Sequence, residues 1–228
     1  MCTVTFLPKG KSSYILTSNR DETPKRAALA PEAYTAHGKE VFFPKDPLAG
    51  GTWVATDKQQ FTLCLLNGAF EKHHHKPPYK LSRGIMLLDF FKYNNIQSFV
   101  EQYDFSGIEP FTLILIESNN SLSATELVWD EMKLYVRSLD VTQPQIWSSS
   151  TLYPEAVRAE RKHWFKLWLE AHDKFQQNEI IDFHKTGGKG DEWNDFVMNR
   201  EGKVQTVSVT SIEKNTDYYT MVYEDLIS

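Results

Sequence analysis

Cysteine is nearly absent from this chain: Cys2 and Cys64 are the only two among 228 residues. Two thiols, with no second Cys and no paired His at ligand spacing, exclude a disulfide scaffold and a zinc-finger framework, so any chemistry they perform is that of single thiols. A surplus of positive charge is also lacking. Lys plus Arg total 25 against 30 Asp plus Glu, a net charge of -5, which removes the electrostatic reason to expect binding to nucleic acid or an anionic membrane. No apolar run approaches the length that crosses a bilayer, and Met1-Cys2-Thr3-Val4-Thr5-Phe6-Leu7-Pro8-Lys9 shows no basic segment leading into an extended apolar one. A soluble, cytoplasmic protein without a membrane span is expected. Gly/Ser-rich stretches, internal repeats and blocks of like charge are missing as well, so nothing marks a linker, and one domain over residues 1–228 is expected. What is abundant is core material: 41% hydrophobic and 13% aromatic residues suffice for a full hydrophobic core.

The first half reads as short strands separated by turn signals: Cys2 to Leu7, a Pro8-Lys9-Gly10 turn, Ser13 to Ser18, Glu40 to Phe43, Thr52 to Thr56 and Phe61 to Leu66. These are expected to be neighbouring antiparallel strands. Ser82-Arg83-Gly84 then opens a helical segment carrying Ile85, Leu87, Leu88, Phe91, Ile96, Phe99 and Val100. Strand-like runs resume at Pro110 to Glu117, Ser121 to Trp129 and Lys133 to Ser138. The span from Tyr153 to Phe175 has no Gly or Pro after Pro154 and is predicted as the longest helix. The C-terminal part returns to strand, with Val204, Thr206, Ser208 and Thr210 alternating against Gln205, Val207, Val209 and Ser211. Strands, helices, strands, helices, strands is an α+β order, for which two sheets between helical layers are a natural packing.

Cys2 carries the most chemical information. Removal of an initiator Met is common before a small residue and leaves a thiol and a free α-amine on one residue. An α-amine titrates near neutrality and serves as a general base without a histidine, while a deprotonated thiol is a strong nucleophile. Taken alone, Cys2 is better read as a small hydrophobe beginning a buried strand. The second strand changes that balance, because it runs into Ser18-Asn19-Arg20-Asp21-Glu22, and a hairpin returns those residues beside Cys2. A carboxylate there holds an ammonium, and an Arg lowers a thiol pKa. Against it stands a solvated turn with a local Arg–carboxylate pair. Further on, Asp46-Pro47-Leu48-Ala49-Gly50-Gly51-Thr52-Trp53 forms a double-glycine turn feeding a strand, and Cys64-Leu65-Leu66-Asn67-Gly68 sets an amide side chain at a strand end, suited to donate to an oxyanion.

Met1-Cys2-Thr3, Asn19-Arg20-Asp21-Glu22, Gly50-Gly51-Thr52-Trp53, Leu66-Asn67-Gly68 and Ser82-Arg83-Gly84, in that order, resemble the NRDE family, which includes the transport and Golgi organization protein 2 group. The resemblance covers residues 1 to about 90 through motifs and the remainder through layout. It implies a four-layer αββα sandwich of the N-terminal nucleophile hydrolase type. It also implies distant similarity to choloylglycine hydrolases and acid ceramidase, which cleave amide C–N bonds with an N-terminal Cys. By that pattern Cys2 is nucleophile and, through its amine, base; Asp21 contacts the amine; and Asn67 contributes to the oxyanion hole. Asn19, Arg20 and Ser149 are supporting candidates. Two positions depart from the amidases. Ser18 stands where they carry an Arg three residues before the Asp, and Arg20 is placed on the opposite side of a strand from Asp21. In Ile146-Trp147-Ser148-Ser149-Ser150-Thr151-Leu152, Ser149 replaces an Asn of the family's Leu-Ser-Asn run, and a hydroxyl lacks an amide's reach.

The expected activity is hydrolysis of a small or lipid-like amide through a Cys2 thioester, with no metal or organic cofactor. The alternative is a non-catalytic carrier of haem or an acyl-lipid, which the family's association with haem and lipid handling implies. Other conspicuous features read blandly. His73-His74-His75, flanked by Lys72, Lys76, Pro77 and Pro78, is a solvated loop before it is a metal site. Gly187-Gly188-Lys189-Gly190 lacks the strand and the Ser/Thr of a phosphate loop and is a turn. Cys64 is core, and Trp164 with Trp168 packs onto a sheet.

Overall fold

The computed structural model describes residues 3–119, 121–216 and 218–227, so Cys2 lies outside the described residues. The chain divides into two compact units, Met1–Ala27 with Val141–Ser228, and Ala28–Asp140.

Strand β1 (Thr3–Pro8) and strand β2 (Tyr14–Glu22) open the first unit as an antiparallel hairpin, with Thr3 opposite Asn19 and Pro8 opposite Tyr14. The turn is closed by the Lys9 N–H donating to the Ser13 carbonyl at 2.8 Å. The second strand runs past Ser18 through Asn19-Arg20-Asp21-Glu22 because it is an interior strand whose backbone groups are paired on both sides.

The second unit follows. It holds β3 (Leu29–Ala36), β4 (Lys39–Lys45), β5 (Val54–Thr56) and β6 (Phe61–Asn67), then α1 (Arg83–Asp89) and α2 (Ile96–Gln102), then β7 (Phe111–Glu117), β8 (Ser123–Trp129) and β9 (Leu134–Ser138). Its seven strands lie in sequence order, each antiparallel to the next. Hence the early strands are not all neighbours: β1 and β2 belong to one sheet, β4 to β6 to another. The edge strand β3 escaped sequence reading because most of its residues are exposed and no apolar alternation marks it. One face of this sheet, with Val41, Leu63, Leu65, Leu113 and Leu115, is covered by Leu87, Phe90, Phe91 and Phe99. Ser82 caps α1, its hydroxyl accepting from the Ile85 N–H.

The chain then returns to the first unit with β10 (Gln145–Ser148), α3 (Glu155–Glu170), α4 (Gln177–Thr186), β11 (Asn199–Arg200), β12 (Val204–Lys214) and β13 (Tyr219–Asp225). The sheet order is β10-β1-β2-β12-β11, with β13 also pairing β12. The single helix expected over Tyr153 to Phe175 ends at Glu170; Trp168 stacks on His172 at 4.2 Å, and a capping box between Gln176 and Glu179 starts α4. Trp164 and Trp168 pack against Leu7, Ile15, Phe165, Phe183 and Phe196, so their reading as sheet-packing residues holds. The fold is α+β, with two antiparallel sheets and helices.

Candidate active site

Asn19, Arg20 and Asp21 are consecutive on β2, so they alternate in direction. Asp21 pairs with Thr206 of β12, while Arg20 pairs with Ser208, and a bulge at Val207 absorbs the register shift. The bulge breaks the alternation predicted for β12. Thr206 therefore shares the side of Asp21, while Ser208 and Thr210 share the side of Arg20 and Ser18.

The Asp21 carboxylate is 4% exposed and fixed through both oxygens. Oδ2 accepts the Tyr153 hydroxyl at 2.6 Å and Oδ1 accepts the Thr206 hydroxyl at 2.6 Å. Such charge-assisted bonds are the strong class of hydrogen bond, and two of them set both position and plane of the carboxylate. Thr206 Oγ1 in turn accepts the Met198 N–H at 2.9 Å.

Asn19 lies on the same side. Its amide nitrogen donates to the carbonyls of His184 at 3.0 Å and Phe196 at 2.8 Å, and its oxygen bonds His184 Nδ1. His184 Nε2 lies 2.8 Å from the Thr5 hydroxyl. Burial first, and then the neighbouring Arg161 cation, push His184 down to about 3, so the imidazole is neutral. Asn19 is thus a structural clamp between β2 and α4. Arg20, as its strand position predicts, points away from Asp21 and donates to the Arg26 carbonyl at 2.7 Å. Ser18, where the amidases carry Arg, is 1% exposed and donates to the Thr210 carbonyl at 3.4 Å.

Ser149 follows Ser148, which pairs with Thr3. It is buried, its hydroxyl 2.8 Å from the Thr151 hydroxyl, and its carbonyl accepts the Tyr153 N–H at 3.0 Å. Ser149 therefore shapes the bend that delivers Tyr153 to Asp21.

Asn67 belongs to the second unit, at the end of β6 opposite Phe111. Gly68 (φ 87°) turns the chain there, and its N–H donates to the Pro110 carbonyl at 2.9 Å. The same carbonyl accepts Arg83 Nη1 at 3.0 Å. Arg83 Nη2 and His73 Nε2 each lie 3.0 Å from the Glu109 carboxylate, and His75 Nδ1 lies 3.3 Å from it. The histidine loop is therefore anchored, not merely solvated. Among the described residues no group of three or more His, Cys, Asp or Glu is placed to hold a metal ion.

The double glycine and the Ser-Arg-Gly motif meet. A Cβ on Gly51 would lie 2.4 Å from the Gly84 carbonyl carbon, and one on Gly84 would lie 2.7 Å from the Thr52 oxygen. Two glycines let the start of α1 cross the chain entering β5 at backbone contact.

Sequence reasoning missed Tyr153, Thr206, His184 and Arg161 as members of this network. A signal existed in Thr3, Thr5, Thr17, Asn19 and Asp21, polar residues at every second position along β1 and β2, which together call for polar partners on the elements that cover that face.

No curated protein matches the sequence. Solved structures similar in fold include a Caenorhabditis elegans ortholog of N-acylethanolamine-hydrolyzing acid amidase, with a TM-score of 0.57 and 13% identity over 99% of this chain and 100% of that one. A mutant of the conjugated bile acid hydrolase from Clostridium perfringens gives 0.52 and 10% over 99% and 92%, and penicillin V acylase from Agrobacterium tumefaciens gives 0.51 and 8% over 99% and 86%. At these identities the likeness is one of fold, that of the N-terminal nucleophile hydrolases. The sequence itself matches the Transport and Golgi organisation 2 model across residues 1–222, the span that carries the Asn-Arg-Asp-Glu strand, the crossed glycines and the Tyr153–Asp21 pair alike, and the chain belongs to that family.

Proposed function

We propose that the protein hydrolyses a non-peptide C–N bond of a small or lipid-like amide through a thioester on Cys2. The observation that carries this reading is the buried Asp21 carboxylate, held through both oxygens two residues beyond Asn19, the partner of Thr3 where β1 starts. Met1 is removed, and the exposed α-amine takes the thiol proton. The thiolate then attacks the amide carbonyl, and the C–N bond breaks as that proton passes to the leaving amine. Water, deprotonated by the same amine, cleaves the thioester to release the acid. Asp21 orients the amine and stabilises its ammonium form. The assignment of Asn67 as donor to the oxyanion rests on the family pattern.

The first test is intact-mass analysis with a cyanobenzothiazole probe, which condenses with an N-terminal 1,2-aminothiol. A single adduct that is lost in Cys2→Ser is expected. A panel of N-acyl amides then gives turnover that falls at least about a thousandfold in Cys2→Ala and about 10–100-fold in Asp21→Asn. Retained Met1, or stoichiometric binding of haem or an acyl-lipid that survives Cys2→Ala without product, would overturn the hydrolase reading in favour of a carrier.

A further inference from the structure

Among the described residues Arg161 is the largest side chain with no exposure, at 0%. Its hydrogen-bond acceptors are neutral: the carbonyls of Asn194 at 3.0 Å and Asp195 at 2.6 Å, and the hydroxyl of Thr3. Taking a guanidinium out of water costs several kcal/mol even after relaxation, and neutral oxygens offset only part of that. Further compensation comes from two aromatic faces: the Tyr153 ring, whose centroid lies 3.6 Å from the guanidinium carbon, and, farther off at 5.2 Å, the Phe196 ring. A cation at such distances over a π face is a favourable contact, and desolvation strengthens it. Over Tyr153 it also draws electron density from the phenol, which makes the hydroxyl a better donor. That hydroxyl donates to Asp21. Arg200 flanks the Tyr153 ring at 5.4 Å, so both cations act on a side chain that donates to the carboxylate.

We propose that Arg161 is a positioning residue for Asp21, acting through the Tyr153 phenol that lies between them. This rests on the hydrolase reading for its effect on turnover, but not for its geometry. The polarised phenol and the Thr206 hydroxyl clamp the two carboxylate oxygens, while Arg161 also grips the Thr3 side chain at the head of β1. One buried cation therefore ties the start of β1 to the strand that carries the carboxylate. Small misplacements at a reacting centre are expensive, so the benefit falls on the chemical step and not on substrate binding.

Two measurements test this. In the first, proton NMR of the folded protein should show a downfield hydroxyl resonance, assigned to Tyr153 by its loss in Tyr153→Phe. It should move upfield in Arg161→Met, because the weaker donor makes a longer bond to Asp21. An unmoved resonance in folded Arg161→Met overturns the proposal whether or not the protein is a hydrolase. In the second, amide turnover by Arg161→Met should fall about tenfold in kcat with KM within about twofold, and Arg161→Lys should recover part of the loss. If Arg161→Met does not fold, Tyr153→Phe replaces it, because the ring stays under Arg161 while the bond to Asp21 is lost; an unchanged kcat in that variant overturns the proposal. A shifted resonance in a protein that turns over no amide supports the positioning while removing the hydrolase reading.

Discussion

At the scale of single residues the helix-facing side of the first unit is unusual for a core, because Thr3, Thr5, Asn19 and Asp21 meet Arg161, His184 and Tyr153 there by hydrogen bonds. Such a network is stable only when every member is satisfied. His184 makes this measurable. Its folded pKa is pushed down to about 3 from 6.5, so between those values the unfolded chain binds a proton that the native state refuses. Stability therefore rises with pH across that window and is lost on acidification, with a slope of up to about 1.4 kcal/mol per pH unit from this residue. Urea unfolding at a series of pH values from about 7 to 4 should show that slope, and His184→Gln should flatten it; an equal slope in both proteins would remove His184 from the account. Asp21 was legible in the sequence because its strand neighbours name it. Arg161 was not, since an Arg among the charged residues of a helix reads as solvated. Its place four residues before Phe165, the other buried residue of α3, was the available signal, as i and i+4 share a face.

Among elements, the strand bearing the candidate carboxylate and the crossed glycines show two ways in which sequence constrains geometry. The β2 extension was only partly legible, because runs of polar residues normally mark turns; here interior pairing and buried partners keep Asn19-Arg20-Asp21 in the sheet. The bulge at Val207 was equally invisible, since a one-residue shift leaves no trace in an alternating sequence. Its carbonyl is satisfied from outside the sheet, by the Leu226 N–H at 2.9 Å. The glycine motifs were legible as motifs, but their mutual contact was not, because residues over thirty positions apart announce no partnership. That contact predicts a cost. In Gly51→Ala the new methyl meets the Gly84 backbone at 2.4 Å, where no side chain can swing aside, so unfolding free energy should drop by about 2–3 kcal/mol. Denaturant titration reads this directly, and a loss below about 0.5 kcal/mol would mean that the crossing is looser than described.

For the molecule as a whole, the two units differ in how far their contacts reach along the chain. The seven strands of the second unit lie in sequence order, whereas the first unit joins β1 and β2 to β10 and β12 from the far end of the chain. Local pairings form before distant ones because loop closure costs less. Pulse-labelled hydrogen exchange during refolding should therefore protect β6, β7 and β8 before β2 and β12; simultaneous protection of all five at the earliest time would contradict this. The two-sheet α+β class was legible because strand and helix blocks alternate in order, while the partition of strands between sheets was not, since pairing across the chain leaves no local pattern. The position of β2 between β1 and β12 also bears on how the protein is made. Translation at about 5–20 residues per second leaves the Asp21 strand without its second neighbour for on the order of ten seconds. Throughout that interval Thr206 does not yet exist, so the carboxylate clamp around Asp21 is completed only once the far end of the chain has been made.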